Sequence, residues 1–258
     1  MARRGRKLGI GLFVLVALLL VALVAVDRVA AAVAADRVAQ QAKDELVARG
    51  ITVPADPTAS IGGFPFLTQV VGGRYQKVTI KVDRPQANNV ELNDITAVAT
   101  GVNAKAGDVM NGTGTVTADQ VTGTANFGWD AVRRLINLAE LPNIDPESIQ
   151  LSVVNNQVEA KLPINLGQPQ PVTLVATGAL EVADGKVQVR LGDIRTEGGN
   201  LSPLLQNLAQ RYIQQNRSRM VATINVPAMP YQLVVNKVET TEAGVLVIAS
   251  AANVKLAG

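Results

Sequence analysis

The sequence predicts an α+β protein in which a long N-terminal helix is followed by antiparallel strands, with two shorter helices set among them. Three observations carry this reading. An uncharged run of nineteen residues, Leu8–Val26, passes directly into the Ala-rich stretch Asp27–Arg49. Apolar residues then recur at every second position, as in Val78, Ile80 and Val82 against Lys77, Thr79 and Lys81. That is the period of a strand with one buried face. The strand-like segments also follow one another through turns, without a helix between each pair, which argues against βαβ units.

Arg3, Arg4, Arg6 and Lys7 precede the apolar run. At ~1.5 Å per residue the run makes a helix about 28 Å long, close to a hydrocarbon core of about 30 Å. The basic cluster should stay on the cytoplasmic side and send everything after Asp27 outside. Two readings fit this segment: a retained anchor, or a signal peptide cleaved at the small residues Ala30, Ala32 and Ala34. The run exceeds the roughly 7–15 residues of a signal core. The pair Asp27-Arg28 also separates it from those alanines, so a retained anchor is expected. Residues 1–7 then form a cytoplasmic basic tail, residues 8–26 the transmembrane anchor or signal peptide, and residues 27–258 an extracytoplasmic, periplasm-facing domain.

The same four residues account for the basic pI of about 9.3. The chain has 24 Lys and Arg against 21 Asp and Glu; without those four, 20 basic face 21 acidic side chains, a net of −1. A nucleic-acid partner is therefore not expected, the more so because only eight of the 258 residues are aromatic. Histidine and cysteine are absent, which removes an imidazole base, a thiolate nucleophile, a Cys/His zinc site and a disulfide. No serine sits in a G-x-S-x-G elbow, and Gly112-Thr113-Gly114 lacks the Lys-Ser/Thr tail of a phosphate loop. A carboxylate-only glycosidase would need aromatic sugar platforms that are not present. We expect no enzyme, no cofactor and no metal.

Within Asp27–Arg49, Val38, Ala42 and Leu46 share one helix face, and Gly50 follows as a C-cap. After the link Thr52–Pro57, strands are expected at Val90–Thr100, Gly112–Thr117 and Gln120–Ala125. Ser148–Val154 and Val158–Pro163 join through Asn155-Asn156, and Pro171–Val182 and Lys186–Gly192 through Asp184-Gly185. The last pair is Tyr231–Glu239 and Val245–Ser250. One helix spans Asp130–Glu140, with Asp130 as cap and Pro142 as stop. The other starts at Ser202-Pro203 and runs through Leu204, Leu205, Leu208 and Tyr212 toward Met220. In the last strands, Leu233 and Val235 oppose Val234 and Val238, so apolar residues fall on both faces. Such strands are either covered on both sides or line a cavity.

Two stretches stand out. Ile61–Gly73, IGGFPFLTQVVGG, holds Phe64 and Phe66 around Pro65 between glycine pairs. A shaped, rigid loop results. It serves either as a plug sealing the end of the sheet, the reading physics favours, or as an apolar lip that touches lipid. Asn126–Asp130 holds the single Trp, Trp129. The pairs Arg133/Arg134 and Arg217/Arg219 offer planar forks to a phosphate headgroup.

In GGFPFLTQVVGGRY, Gly62–Tyr75, followed by the strand KVTIKV, the chain resembles an actinobacterial envelope family of LmeA-like proteins, long known only as a domain of unknown function. Gly63, Phe64, Pro65, Phe66, Leu67, Thr68, Gln69, Gly73, Arg74 and Tyr75 carry the likeness. It is supported by the NFGWD helix start and the order of elements. The resemblance implies a phospholipid-binding protein that maintains envelope glycolipids. It also implies a tubular lipid-binding (TULIP, BPI-like) fold, in which a curved antiparallel sheet wraps a long helix and holds acyl chains. On that reading Phe64, Pro65, Phe66, Leu67, Phe127, Trp129, Leu135, Leu208 and Tyr212 lie near lipid, with Arg133 and Arg134 at the headgroup. The partners are a membrane phospholipid or glycolipid and the bilayer itself through residues 8–26. The alternative is a non-catalytic scaffold that organises envelope glycosyltransferases around a solid core.

Overall fold

The computed structural model describes residues 3–87, 90–105, 107, 114–135, 143–165, 167, 171–183, 185–197, 202–216, 223–224 and 230–257. Helix α1, Arg3–Ala48, is continuous through the apolar run and the Ala-rich stretch. It stops where expected: Gly50 takes φ +76°, its N–H donates to the Val47 carbonyl (2.9 Å), and the Ile51 N–H donates to the Leu46 carbonyl (2.9 Å). This double bond pattern closes the last turn with a left-handed residue. The surroundings of α1 change at Asp27. Before it, the described large side chains from Phe13 to Val26 are exposed. From it onward one stripe turns inward, with Asp27, Ala31 and Ala35 buried and Val38, Ala42 and Leu46 half-buried. The stretch beginning at Leu15 is long and apolar enough to cross a membrane.

Thirteen strands follow among the described residues: β1 Thr58–Gly62, β2 Arg74–Asp83, β3 Gln86–Ala87, β4 Val90–Glu91, β5 Asp94–Asn103, β6 Val116–Gly128, β7 Gln150–Val154, β8 Gln157–Ile164, β9 Val172–Ala183, β10 Lys186–Thr196, β11 Thr223–Ile224, β12 Val234–Thr241 and β13 Gly244–Ala257. They form a six-stranded sheet in the order β1-β2-β5-β6-β13-β12, a five-stranded sheet in the order β11-β10-β9-β8-β7, and the small ladder β3-β4. All the paired strands are antiparallel, and neither large sheet closes into a barrel. The expectation of one curved sheet wrapped on the long helix is corrected here. There are two large sheets, and α1 lies along the edge, packed on β1 and the short helix α2, Phe66–Gly72. The reason is the narrow inward stripe of α1, mostly alanine, which suits contact with one edge strand better than burial inside a sheet.

The six-stranded sheet bends at one level. Inward-facing residues step by three positions instead of two in four adjacent strands: Tyr75 to Val78, Ala99 to Val102, Ala118 to Val121, and Ala251 to Val254. These eight residues are one another's cross-strand partners, Tyr75 with Val102, Val102 with Ala118 and Ala118 with Val254, then Val78 with Ala99, Ala99 with Val121 and Val121 with Ala251. The extra residue in each strand turns outward, and two of them, Gly101 (φ +59°) and Asn253 (φ +54°), take the left-handed conformation. Beneath the crease lies a small core of Val102, Ala104, Ala118, Val121 and Val254.

A larger core joins the rest. Phe127, Val235, Val245, Val247 and Ala249 of the six-stranded sheet meet Leu162, Ile164, Val172, Leu174, Ala176 and Val187 of the five-stranded one. Ala131 and Val132 of helix α3, Trp129–Leu135, and Ala209 and Tyr212 of helix α4, Pro203–Asn216, complete it. The reading of β12 as apolar on both faces is also corrected. A bulge between Val235 and Lys237 pairs Val235 with Ala249 and Val238 with Val247, so both valines share the inward face, and Val234 is left exposed.

The expected strands Gly112–Thr117 and Gln120–Ala125 are one strand, β6, with residues 112 and 113 outside the described residues. Asp130 lies inside the first turn of α3 rather than capping it, and residues 136–142 fall outside the described residues. Ser202 caps α4 as expected, its Oγ accepting from the Leu205 N–H at 3.4 Å. Both expected hairpins are present. Asn155 (φ +49°) and Asn156 (φ +61°) turn the first, and Gly185 (φ +69°) helps turn the second, with Asp184 outside the described residues.

A Cβ at Gly101 would overlap the Asp119 carboxylate as well as forcing positive φ on an L-residue. Gly101→Ala is expected to lower unfolding stability by about 1–3 kcal/mol. A shift in denaturation midpoint reads this out, and an unchanged midpoint would show that the crease tolerates a side chain.

Candidate functional site

The motif GFPFLTQ folds as the turn before α2 and the helix itself, and it is bolted to α1 from a distance. Asp27 Oδ1 accepts the Leu67 N–H (2.8 Å), which gives the first turn of α2 an acceptor 40 residues away in sequence. The N-cap position, Pro65, makes no side-chain cap of its own. Asp27 Oδ2 accepts from Arg28 Nη2 (2.5 Å) and Nε (3.2 Å). Arg28 Nη2 also donates to the Gly63 carbonyl (3.2 Å), and the guanidinium carbon sits 5.2 Å from the centre of the Phe64 ring. Asp27 is 2% exposed. Desolvation, the largest single influence, pushes its carboxyl pKa up, but the Leu67 N–H, the Arg28 guanidinium and the Phe66 N–H together outweigh it. The carboxyl is held below its ordinary value of 3.8.

A second bolt is Gln69. It is buried, donates from Nε2 to the Gly62 carbonyl (3.3 Å), and accepts the Gln76 N–H at Oε1 (2.8 Å), so α2 is tied to β1 and β2. Gly63 takes φ +93°, and a Cβ there would come within 2.8 Å of Gln69 Nε2. Gly73 ends α2 at φ +65°. The two phenylalanines differ in exposure. Phe66 is 4% exposed with its ring 6.1 Å from that of Tyr75, and so plugs the end of the sheet; burial pushes the Tyr75 phenol up. Phe64 is 57% exposed. Pro65 is exposed beside it and Leu67 is half-buried on α2.

The other expected lipid residues lie elsewhere. Phe127 and Tyr212 are buried in the larger core, with Trp129 and Leu135 packed against it. Leu208 is half-buried on α4. Trp129 Nε1 donates to the Glu242 carbonyl (3.0 Å), and burial pushes the Tyr212 phenol up. β6 begins beside Asn103, near α2, and ends at Phe127, so the two groups are on the order of 30 Å apart along the strand. Arg133 is committed to the protein. It pairs with Asp130 (3.2 Å) and Glu147 (3.3 Å) and donates to the carbonyls of Glu147 (3.0 Å) and Ile149 (3.5 Å). Arg134 is exposed, and Arg217 and Arg219 lie outside the described residues.

Asp27, Arg28, Gln69 and Gln76 had no functional expectation attached. The sequence signal for Asp27 and Arg28 was a charged pair set directly at the end of an apolar run, and Gln69 lay in the GFPFLTQ motif, whereas Gln76 carried none. Together these elements join a two-sheet domain to the end of an apolar helix. The chain belongs to the LmeA-like phospholipid-binding family, whose match covers residues 25–250. No curated protein and no solved structure matches it. The family match opens two residues before Asp27, so it includes the clasp and leaves out most of the apolar run.

Asp27→Asn is expected to destabilise the fold at neutral pH. The folded-state pKa is lowered, so the carboxylate's contribution is fully present above 3.8 and disappears as pH falls through the folded-state value. The difference in unfolding midpoint between the native chain and this variant should shrink toward zero as the pH falls below the ordinary carboxylate range. A difference that stays constant with pH would remove the carboxylate's charge from the account.

Proposed function

We propose that the chain is a membrane-anchored, extracytoplasmic protein that binds phospholipid or glycolipid through the acyl chains, in support of envelope lipoglycan maintenance. The observation that carries this is the match to a phospholipid-binding family over residues 25–250. On this reading the fold is a variant of the tubular lipid-binding one, assembled from two antiparallel sheets and not from one sheet wrapped on α1, and envelope enzymes are its partners. Phe127, Trp129, Leu135, Leu208 and Tyr212 are the residues proposed to face the acyl chains in the domain.

Burying apolar chain surface supplies about 25 cal/mol per Å² against water. Against a bilayer that gain nearly cancels, because the chain leaves one apolar medium for another. Selectivity must then come from the headgroup and from shape, and the rate from keeping the domain near its lipid. A retained anchor supplies that nearness as a high effective concentration. The clasp favours retention over cleavage. A cut at Ala30, Ala32 or Ala34 would remove Asp27 and Arg28, and would leave the Leu67 N–H without its acceptor and Phe64 without its cation.

Two measurements check this. A chain beginning at Asp27, purified without detergent, is expected to carry lipid in native mass spectrometry; repeated recovery without lipid, and no uptake from vesicles, would overturn lipid binding. The intact mass of the protein from native membranes is expected to include residues 1–26, and a mass starting after Ala30, Ala32 or Ala34 would identify a signal peptide instead.

A further inference from the structure

Around the clasp, several apolar side chains are left exposed. Phe64 (57% exposed) and Val71 (90% exposed) lie on the α2 turn and helix, and Val29 (64% exposed) lies on the outer face of α1. Phe64 lies against an ion pair that is internally neutral, Asp27 with Arg28, and Val29 follows that pair on α1. Outside the apolar residues stand Lys77, whose Cβ lies next to Gly62, and Lys105, which adjoins Gly73. Both lysines are exposed and have no ion-pair partner among the described residues. An apolar tip with a basic rim is the pattern of a surface that rests in the interfacial layer of a membrane carrying anionic lipid.

The height of the tip follows from α1. Arg28 is two residues past Val26, or ~3 Å further along the helix. The headgroup layer on each side of the hydrocarbon is roughly 5–7 Å thick. Phe64, held over Arg28 at 5.2 Å, therefore falls inside that layer if residues 8–26 span the bilayer. Val71 is one turn beyond Leu67, the residue that Asp27 holds.

We propose that Phe64 and Val71 insert into the outer-leaflet interface and seat the domain on the bilayer, with Lys77 and Lys105 facing the headgroups. The proposal rests on the anchor reading above and is independent of whether the domain takes up lipid. In that seat α2 and the crease face the membrane, and α3 with Trp129 points away from it.

The chain has a single Trp, so one tryptophan can be moved. Phe64→Trp and, separately, Val71→Trp are made in the Trp129→Phe background and placed, full length, in nanodiscs containing lipid brominated either near the glycerol end or near the chain terminus. Both positions are solvent-exposed, so either variant alone is an adequate reporter. The expected result is loss of emission with brominated lipid, greater for the shallow bromine, together with protection from aqueous iodide. Emission that ignores brominated lipid at both positions overturns the proposal, whether or not iodide reaches the ring. Trp129 in the otherwise native chain, together with mass spectrometry, reports lipid inside the domain. The two readings can therefore fail separately.

Discussion

The structure depends on one carboxylate. Among the α1 residues whose side chains are described, Asp27 is the first that is enclosed, and it supplies what α2 lacks, an acceptor for a first-turn N–H whose own N-cap position is a proline. Burying a charge is costly unless it is hydrogen-bonded and paired, and here backbone donors and Arg28 meet both requirements. The consequence is mechanical. The end of the apolar run, the turn carrying Phe64 and the edge strand β1 are held as one unit, so a helix suited to a bilayer and a domain suited to lipid are joined without a linker.

The rest of the domain extends from that unit. β1 pairs with β2, and the crease then runs across four strands through the residues that pave the small core. Arg74 and Asp119 pair across its outer side at 2.6 Å, where Gly101 leaves room for the carboxylate. Beyond the crease the sheet turns toward the larger core, which it shares with the five-stranded sheet, α3 and α4. Leu233 packs against both cores, so the two halves of the six-stranded sheet are coupled through one side chain near Gly123. The apolar groups first noticed in the sequence are thereby sorted to two ends. One end surrounds the exit of the helix, and the other forms the shared core about 30 Å away.

Much of this was legible in the sequence where the cause was local. The α1 stop at Gly50, the Ser202 cap and the Asn155-Asn156 turn depend on residues within a few positions and came out as expected. α2 did not, because FLTQVVG is rich in β-branched residues and its cap comes from Asp27, far back in the chain. The crease left a trace of a different kind. The expected strands stopped at Thr100, broke between Thr117 and Gln120, and stopped at Ser250, all within a few residues of the level where inward positions step by three. A strict period of two cannot continue through such a step, so one structural event across the sheet read as three separate strand ends. The bulge in β12 had the same effect, making a strand with one apolar face look apolar on both. For the site, the GFPF motif drew notice, but that Phe66 packs on Tyr75 while Phe64 stays exposed beside Arg28 depends on pairings that the motif by itself does not show.

The central claim is that the clasp makes the helix and the domain one rigid body. The absence of native cysteine allows two spin labels to be placed freely, one at Val24 on the apolar run and one at Val71 on α2, both exposed. The full-length protein in a bilayer should give a single narrow distance distribution, which broadens when Asp27→Ala is added. A distribution that is already broad with Asp27 in place would contradict the account.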